Sequence, residues 1–205
     1  MNSGDTSGRP VGQKKVVVIA GPSGSGKNTV IGKIKERYPH SVTLVTATTR
    51  SPRLGERDGI DYYFMPIERF DAESMRGHIA GKRYVPLFGG VHYGIYIPDL
   101  TEKIKKAPVV FAAVDIEGAR WLKQKYGALT IFLTPESFEQ YRTRIRARSP
   151  DMLPHEFDMR MKIADTELRV HATQYDYRVP SPDGGLTETV ESIIEIIKKE
   201  GYTLE

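Results

Sequence analysis

Strand-length apolar runs alternate with helical patterns along much of the chain. The apolar runs predict strands over residues 16–20, 42–46, 109–114 and 129–133. Helical periodicity predicts helices over residues 27–37, 117–126, 135–148, 155–171 and 186–199. This alternation indicates an α/β fold with a mostly parallel β-sheet flanked by helices. Ligands of such folds bind at the carboxyl ends of the strands.

The alternation fails between residues 47 and 99. This stretch is rich in turns and tyrosines and carries one short helical pattern over residues 66–76, which predicts an inserted lobe of antiparallel strands. Residues 149–154 interrupt two helical patterns and follow several arginines, as a mobile lid would. The first residues, rich in Gly and Ser, predict a flexible tail.

A glycine-rich turn follows the first predicted strand and opens the first predicted helix. Its candidate phosphate-binding residues are Gly21, Ser23, Gly24, Ser25, Gly26, Lys27, Asn28 and Thr29. Backbone N–H groups of such a turn surround phosphate oxygens, and the lysine adds a mobile positive charge. Asn28 stands where the usual GxxxxGK[ST] pattern has a hydroxyl residue. The turn predicts a protein that handles a nucleoside triphosphate.

Composition narrows the classes of function. The 205 residues are 39% hydrophobic and 27% charged, with no apolar run of membrane-spanning length. Residues 1–13 lack the apolar stretch of a signal peptide, so we expect a cytoplasmic setting. The sequence contains no cysteine, which excludes disulfides, thiolate zinc sites and a cysteine nucleophile and permits a reducing compartment. The charge of +4 admits nucleic acid, but no nucleic-acid-binding module is recognisable. We expect neither a membrane nor a nucleic-acid partner, and the oligomeric state stays open.

The arginines concentrate in two places. Arg50 and Arg53 lie in one predicted loop, and four alternate arginines over residues 142–148 lie along one predicted helix end. Such clusters suit a polyphosphate substrate, and a solvated basic surface is the plainer alternative.

Several motifs together resemble those of the guanylate kinase family. The segment over residues 48–64 reproduces the TTRxPRxGExxGxDYxF signature of that family, and the turn over residues 21–27 resembles its phosphate loop. Tyr93 with Gly94 matches its YG pair, and the segment Asp115 to Gly118 matches its DxxG element. The resemblance covers residues 15–199. It implies a P-loop core over 15–46, 100–143 and 161–205, a nucleoside monophosphate-binding lobe over 47–99, a lid over 144–160, and a tail over 1–14.

The implied reaction is ATP-dependent phosphorylation of a nucleoside monophosphate, with GMP or dGMP as the expected acceptor. Both substrates are polyanions, so fixed cations must offset their repulsion. The resemblance assigns Lys27 to the β- and γ-phosphates. The expected lid arginines are Arg144, Arg148 and Arg160. The expected acceptor-phosphate residues are Arg50, Arg53, Tyr62 and Tyr93, with Glu56 ordering the arginine loop.

Magnesium is the expected cofactor, because it accompanies ATP in such enzymes. The amide oxygen of Asn28 can coordinate a hard cation, and Asp115, which closes an apolar strand, is expected to act on the metal through water.

The expected base pocket departs from the pattern of the family. Counting back from Tyr93 places Tyr84 at the usual glutamate, while Ala113 replaces the usual aspartate and Ile95 a hydroxyl residue. Only Thr46 keeps a polar match. Unpaired N–H donors of guanine would cost about 1 to 3 kcal/mol each. The sequence therefore leaves a kinase for another monophosphate open.

Two other classes of function are alternatives. One is a non-catalytic guanylate-kinase-like module that binds phosphorylated protein, although Lys27, which such modules typically lose, is present. The other is a GTPase, which the sequence excludes because Asn2 and Asn28 are the only asparagines and neither begins an NKxD motif.

Overall fold

The fold is that of a computed structural model, which describes residues 14–86 and 90–205. The side chain of Arg148 also lies outside the described part. The predicted tail falls outside it too, except for Lys14.

A five-stranded parallel sheet forms one half of the fold. Its strands are β1 (Val16–Ala20), β2 (Val42–Thr43), β7 (Val110–Ala112), β8 (Leu129–Thr134) and β9 (Tyr177–Pro180). Their order across the sheet is β2-β7-β1-β8-β9. All pairs are parallel, as the sequence predicts. The loop after the central strand β1 therefore lies at the carboxyl edge of the sheet, where ligands of such folds bind.

A second sheet contains four strands from the inserted region. They are β3 (Thr46–Thr48), β4 (Tyr63–Phe64), β5 (Ile79–Val85) and β6 (Val91–Tyr96), in the order β4-β3-β6-β5. The predicted antiparallel pairing holds for β3 with β6 and for β5 with β6. It is wrong for β4, which runs parallel to β3 because the chain makes a long turn-rich excursion between them.

In the described part of the chain, seven α-helices pack around the two sheets. They are α1 (Lys27–Arg37), α2 (Ile67–Met75), α3 (Ile97–Lys106), α4 (Ile116–Tyr126), α5 (Phe138–Arg148), α6 (Pro154–Thr166) and α7 (Leu186–Lys199). A π-helical turn (Glu167–His171) and a short 3₁₀ turn (Ala172–Gln174) follow α6. Among residues 14–86 and 90–205, no helix is long and apolar enough to cross a membrane.

Strand β1 is buried on both faces. Val17 and Ile19 face a cluster that includes Ile34 of α1 and Ile193 of α7. Residues 16, 18 and 20 face an opposite cluster that includes Leu122 of α4. A parallel strand covered by helices on both sides reads as a continuous apolar run, which is why the sequence predicts β1 without error.

The predicted strand over residues 42–46 is wrong in its second half. Strand β2 ends at Thr43, and Thr46 begins β3 of the other sheet. The backbone N–H of Val45 donates to the buried Asp99 carboxylate at 2.9 Å instead of to a neighbouring strand. This side-chain acceptor, 54 residues away in sequence, redirects the chain from the first sheet to the second.

Several helix bounds also differ from the prediction. Helix α5 begins at Phe138, because the Ser137 hydroxyl accepts from Gln140 N at 3.0 Å and caps it there. The helix predicted over 155–171 is α6 followed by the π-helical turn. The sequence pattern does not predict helix α3 or strand β9. Helix α3 follows β6 without a loop, and β9 is four residues long with one buried side chain.

Candidate active site

A cavity of about 580 Å³ lies between the loop after β1 and the second sheet. It brings together most of the predicted site residues, which come from both halves of the chain. Those that line it are Gly21, Ser23, Gly24, Gly26, Lys27, Asn28, Thr29, Thr46, Arg50, Arg53, Tyr62, Tyr93, Ile95, Ala113 and Asp115.

The phosphate loop closes tightly between β1 and α1. Gly21 has φ +145°, and a Cβ there would lie 2.8 Å from the Leu133 carbonyl oxygen, so only glycine fits. Ser25 N donates to Pro22 O at 3.0 Å, which completes the turn. Ser25 itself is buried within the loop and does not line the cavity. The loop thus delivers the N-terminus of α1, with its backbone N–H groups, to the cavity.

Lys27 is the first residue of α1 and lies within the cavity wall. Its Nζ donates to Gly21 O at 2.7 Å and to Pro22 O at 3.0 Å. The ammonium group is therefore held against the phosphate loop. The Lys27 ammonium group can exchange these carbonyl acceptors for phosphate oxygens, which carry full charge and are stronger acceptors.

Arg50 and Glu56 form a bidentate ion pair at the opposite wall. Arg50 Nη1 and Nη2 donate to the two Glu56 carboxylate oxygens at 2.7 and 2.9 Å. Glu56 also accepts from Arg53 N at 2.7 Å. Burial by itself would lower the pKa of Arg50, but its hydrogen bonds with Glu56 and Tyr93 raise that pKa above its ordinary value. The bond from Arg50 holds the pKa of Glu56 below its usual range.

Two tyrosines complete this wall. The Tyr62 and Tyr93 rings meet edge to face at 6.1 Å, and the Arg50 guanidinium lies 5.2 Å from the Tyr62 ring centre. Burial raises the pKa of Tyr62, so its hydroxyl remains a proton donor at neutral pH. Arg50, Arg53, Tyr62 and Tyr93 together can donate to a phosphate, while Glu56 lies behind Arg50 and outside the cavity lining.

Thr46, Ile95 and Ala113 line the cavity beside the tyrosines. Thr46 pairs with Ile95 across β3 and β6. The prediction that Tyr84 belongs here is wrong in position. Tyr84 is 58% exposed on the other face of β5, where its ring lies 5.0 Å from that of His92. Tyr84 pairs with His92 across β5 and β6, and this pair projects from the face opposite to that of the neighbouring pair of Arg83 and Tyr93, which lines the cavity.

Arg83 occupies the cavity wall instead and meets two carboxylates. Its Nη1 lies 3.2 Å from Glu167 Oε1 and 3.6 Å from Asp115 Oδ2. Burial alone would lower the pKa of Arg83, but the negative charges of Asp115 and Glu167 raise it. The other oxygen of Asp115 accepts from Gly118 N at 3.0 Å and caps α4. This ionic group joins strand β5 of the second sheet, the start of α4 and the turn after α6.

The predicted lid arginines do not line the cavity. Arg144 binds Asp183, with Nε at 2.8 Å from Oδ1, and donates from Nη2 to Ser181 O at 2.9 Å. Ser181 lies next to the phosphate loop, since its hydroxyl donates to Ser25 O at 3.3 Å. Arg160 is half-buried on α6. Arg148 ends α5, and its side chain lies outside the described residues.

Sequence reasoning missed several cavity residues. They are Gly81, Arg83, Val85, Val114 and Glu167, with Gly94 and Gly118 noted only as parts of motifs. Alternation along β5 could have grouped residues 81, 83 and 85 on one face, because successive strand residues point to opposite sides. No sequence pattern marks Glu167 as a cavity residue, because the direction of its side chain depends on the π-helical turn that it begins.

A divalent metal has few candidate ligands in this cavity. Within residues 14–86 and 90–205, no group of three or more His, Asp or Glu side chains could hold a metal ion. Asn28 lines the cavity beside Lys27, so its amide oxygen fits a cation that arrives with a polyphosphate. Asp115 is engaged by Gly118 N and Arg83, and its contact with metal-bound water stays a prediction.

Comparison with known proteins gives one consistent result. The sequence model described as guanylate kinase matches residues 13–200. A guanylate kinase of Prochlorococcus marinus subsp. pastoris is 36% identical over 188 residues, covering 90% of this chain and 97% of that protein. One from Synechocystis sp. is 33% identical, covering 91% and 94%. The crystal structure of guanylate kinase from Anaplasma phagocytophilum superimposes with a TM-score of 0.70 at 27% identity, covering 94% of this chain and 89% of that one.

Proposed function

The chain belongs to the guanylate kinase family, and we propose that it transfers the γ-phosphoryl group of ATP to GMP, giving ADP and GDP. The observation that carries this proposal is a cavity that holds a phosphate loop on one wall and a bidentate arginine site on the other. Two phosphate-binding sites that share one cavity suit direct transfer between two nucleotides.

ATP binds with its phosphates in the loop over residues 21–29. The N–H groups at the start of α1 surround the β-phosphate, and Lys27 exchanges its contacts with Gly21 O and Pro22 O for β- and γ-oxygens. When bound, magnesium would supply positive charge to neutralise the phosphates, and Asn28, which lines the cavity, would be the residue that holds it.

The phosphate of GMP binds at the opposite wall. Glu56 holds the Arg50 guanidinium in a fixed plane, and Arg53, Tyr62 and Tyr93 add donors around the same point. A nucleoside monophosphate is largely dianionic near neutral pH, so transfer requires alignment and cations rather than a general base. Arg144, Arg148 and Arg160 close over the transferring group from the lid. The cytoplasmic location remains a prediction.

The alternatives are less well supported. A binding module that has lost catalysis is not favoured, because the similar proteins are named guanylate kinase and the Lys27 loop is intact. Another acceptor nucleotide is not favoured for the same reason. The part of the cavity wall expected to hold the base, here called the base wall, contains Arg83 and lacks Tyr84. This difference bears on how guanine is bound.

Release of ADP from ATP, measured with GMP, dGMP, IMP, AMP, CMP and UMP as acceptors, tests the proposal. We expect saturable turnover with GMP and at least about a thousandfold loss in Lys27→Ala, because a charge on the transferring phosphates is removed. Lys33→Ala is the matched control, since Lys33 lies on the same helix, exposed and paired with Glu36. Turnover that is absent with GMP, or unchanged in Lys27→Ala, would refute the proposal.

A further inference from the structure

Strand β5 lies unusually close to the start of α4. Gly81 has φ +54°, and a Cβ there would lie 2.9 Å from Gly118 Cα. The absence of a side chain at residue 81 permits this approach. Arg83, two residues further on the same face of β5, is thereby placed beside Asp115, the cap of α4.

The ionic group of Arg83, Asp115 and Glu167 has more negative than positive charge. Two carboxylates meet one guanidinium, and the three side chains are 25%, 19% and 16% exposed. A group with excess negative charge repels a phosphate, so it is not a third phosphate site. It suits a ligand that offers several N–H donors together with one acceptor.

This group lies along the same wall as the acceptor-phosphate site. Arg83 is the direct cross-strand partner of Tyr93 in the pair of β5 and β6, and Tyr93 lines the cavity together with Arg50. Cross-strand partners project from the same face of a sheet. An acceptor held by its phosphate at Arg50 and Tyr93 can therefore extend its base toward Arg83 within one cavity.

We propose that Arg83 and Glu167 are specificity-determining residues that bind the Watson–Crick edge of guanine, an inference that rests on the proposed function. The guanidinium of Arg83 donates to O6, and the carboxylate of Glu167 accepts from N1–H and the 2-amino group. Asp115 is a positioning residue that holds Arg83. Adenine presents an amino group where guanine has O6, so it would set a donor against the guanidinium.

This assignment supplies a carboxylate in addition to Asp115, whose oxygens already face Gly118 N and Arg83. Thr46, Ile95 and Ala113 provide no carboxylate for the donors of guanine. Glu167 begins the π-helical turn after α6, and turns of this kind are frequent at functional sites. The carboxylate thus reaches the base from the lid side of the cavity rather than from β5.

Glu167→Gln is the primary test, because glutamine keeps the shape and can still accept from Arg83. Its amide NH₂ would face the N–H donors of guanine. We expect kcat/KM for GMP to fall roughly 10- to 100-fold. The loss should be smaller for IMP, which lacks the 2-amino group, so the preference for GMP over IMP should decrease. The KM for ATP should not change.

Arg83→Met is the second variant, and it tests the proposed hydrogen bond from Arg83 to O6 of guanine. GMP and IMP both carry O6, so both should lose kcat/KM by a similar factor, while the preference for GMP over AMP decreases. Lys82→Met and Glu117→Gln are matched controls. Lys82 is exposed on the opposite face of β5, and Glu117 is exposed and paired with Arg120.

Equilibrium binding of GMP and IMP to wild type and to both variants measures the same preference between the two bases, and it requires no turnover. Failure of wild-type turnover with GMP would then refute the proposed function without deciding the base contacts. Equal losses for GMP, IMP and AMP in both variants, with a lowered melting temperature, would show that the ionic group only fastens β5 to the core. That result, or unchanged discrimination in both variants, would overturn the inference.

Discussion

The acceptor-phosphate site depends on single side chains that hold one another in place. Glu56 accepts from Arg50 twice and from Arg53 N once, which uses most of its acceptor capacity. The signature segment over residues 48–64 predicts these contacts, because the paired charges stand close together in sequence. It does not predict that Arg50 also lies over the rings of Tyr62 and Phe64.

The ion pair of Arg50 and Glu56 gives a pH dependence with a definite sign. The pKa of Glu56 is lowered in the folded state, mainly by Arg50. Its contribution to the free energy of unfolding is therefore full above the unfolded value of about 4.3 and is lost as the pH falls through the lower folded value. We expect wild type to be more stable than Glu56→Gln near neutral pH, with a difference that shrinks in acid.

Thermal or urea unfolding of both proteins between neutral pH and about pH 3 measures this difference. Glu36→Gln is a control, because Glu36 is exposed and paired only at the surface of α1. A difference between wild type and Glu56→Gln that grows toward acid would contradict the assigned direction of the pKa shift.

At the scale of elements, the sequence predicts the bounds of a helix or strand best where those bounds depend only on which side chains are buried. Strand β1 and helices α1 and α7 lie within the predicted bounds, because their apolar faces repeat with the period of the element. The prediction for residues 42–46 fails because Asp99, distant in sequence, binds Val45 N. The prediction for Tyr84 fails because it counts residues back from Tyr93, whereas Arg83 is the residue of β5 that pairs with Tyr93 and shares its face of the sheet.

The close packing of β5 against the start of α4 gives a prediction at the scale of elements. Gly81→Ala should destabilise the protein by about 2 to 4 kcal/mol, since the new Cβ meets the backbone of Gly118 and the residue has a positive φ. Gly77→Ala is the matched control, because Gly77 also has a positive φ of 75° but a Cβ added there would meet no atom within 4 Å. We expect only about 1 kcal/mol there.

Urea unfolding of the two variants and wild type supplies the comparison. The larger loss for Gly81→Ala measures the close approach of β5 to α4, beyond the backbone strain that both glycines share. Equal losses would mean that this approach is not required for stability.

At the scale of the whole molecule, the cavity joins parts that lie far apart in the chain. The residues predicted for the phosphate loop and for the acceptor-phosphate site line one cavity, and their phosphate contacts stay a prediction. The lid arginines do not, since Arg144 is bound to Asp183 and Ser181. The motifs predict residues that act together during transfer, and the structure gives the contacts that Arg144 makes in one arrangement of the chain.

The lid gives a prediction about turnover. If Arg144 stabilises the transferring group, Arg144→Met should lower kcat by about a hundredfold or more, with little change in KM for ATP or GMP. Arg142→Met is the control on the same helix, because Arg142 is exposed and faces Glu139. Steady-state kinetics with both substrates varied separates the two constants. An increase in KM with unchanged kcat would place Arg144 in ground-state binding instead.

The central claim is that one cavity binds both nucleotides with their phosphates adjacent. Calorimetric titration with an analogue that joins adenosine and guanosine through five phosphates tests it most directly. We expect one analogue per chain, bound at least about a hundredfold more tightly than ATP or GMP alone, because the second contact becomes intramolecular. Lys27→Ala and Arg50→Ala should each weaken it. Two analogues per chain, or an affinity no greater than that of ATP, would contradict the account.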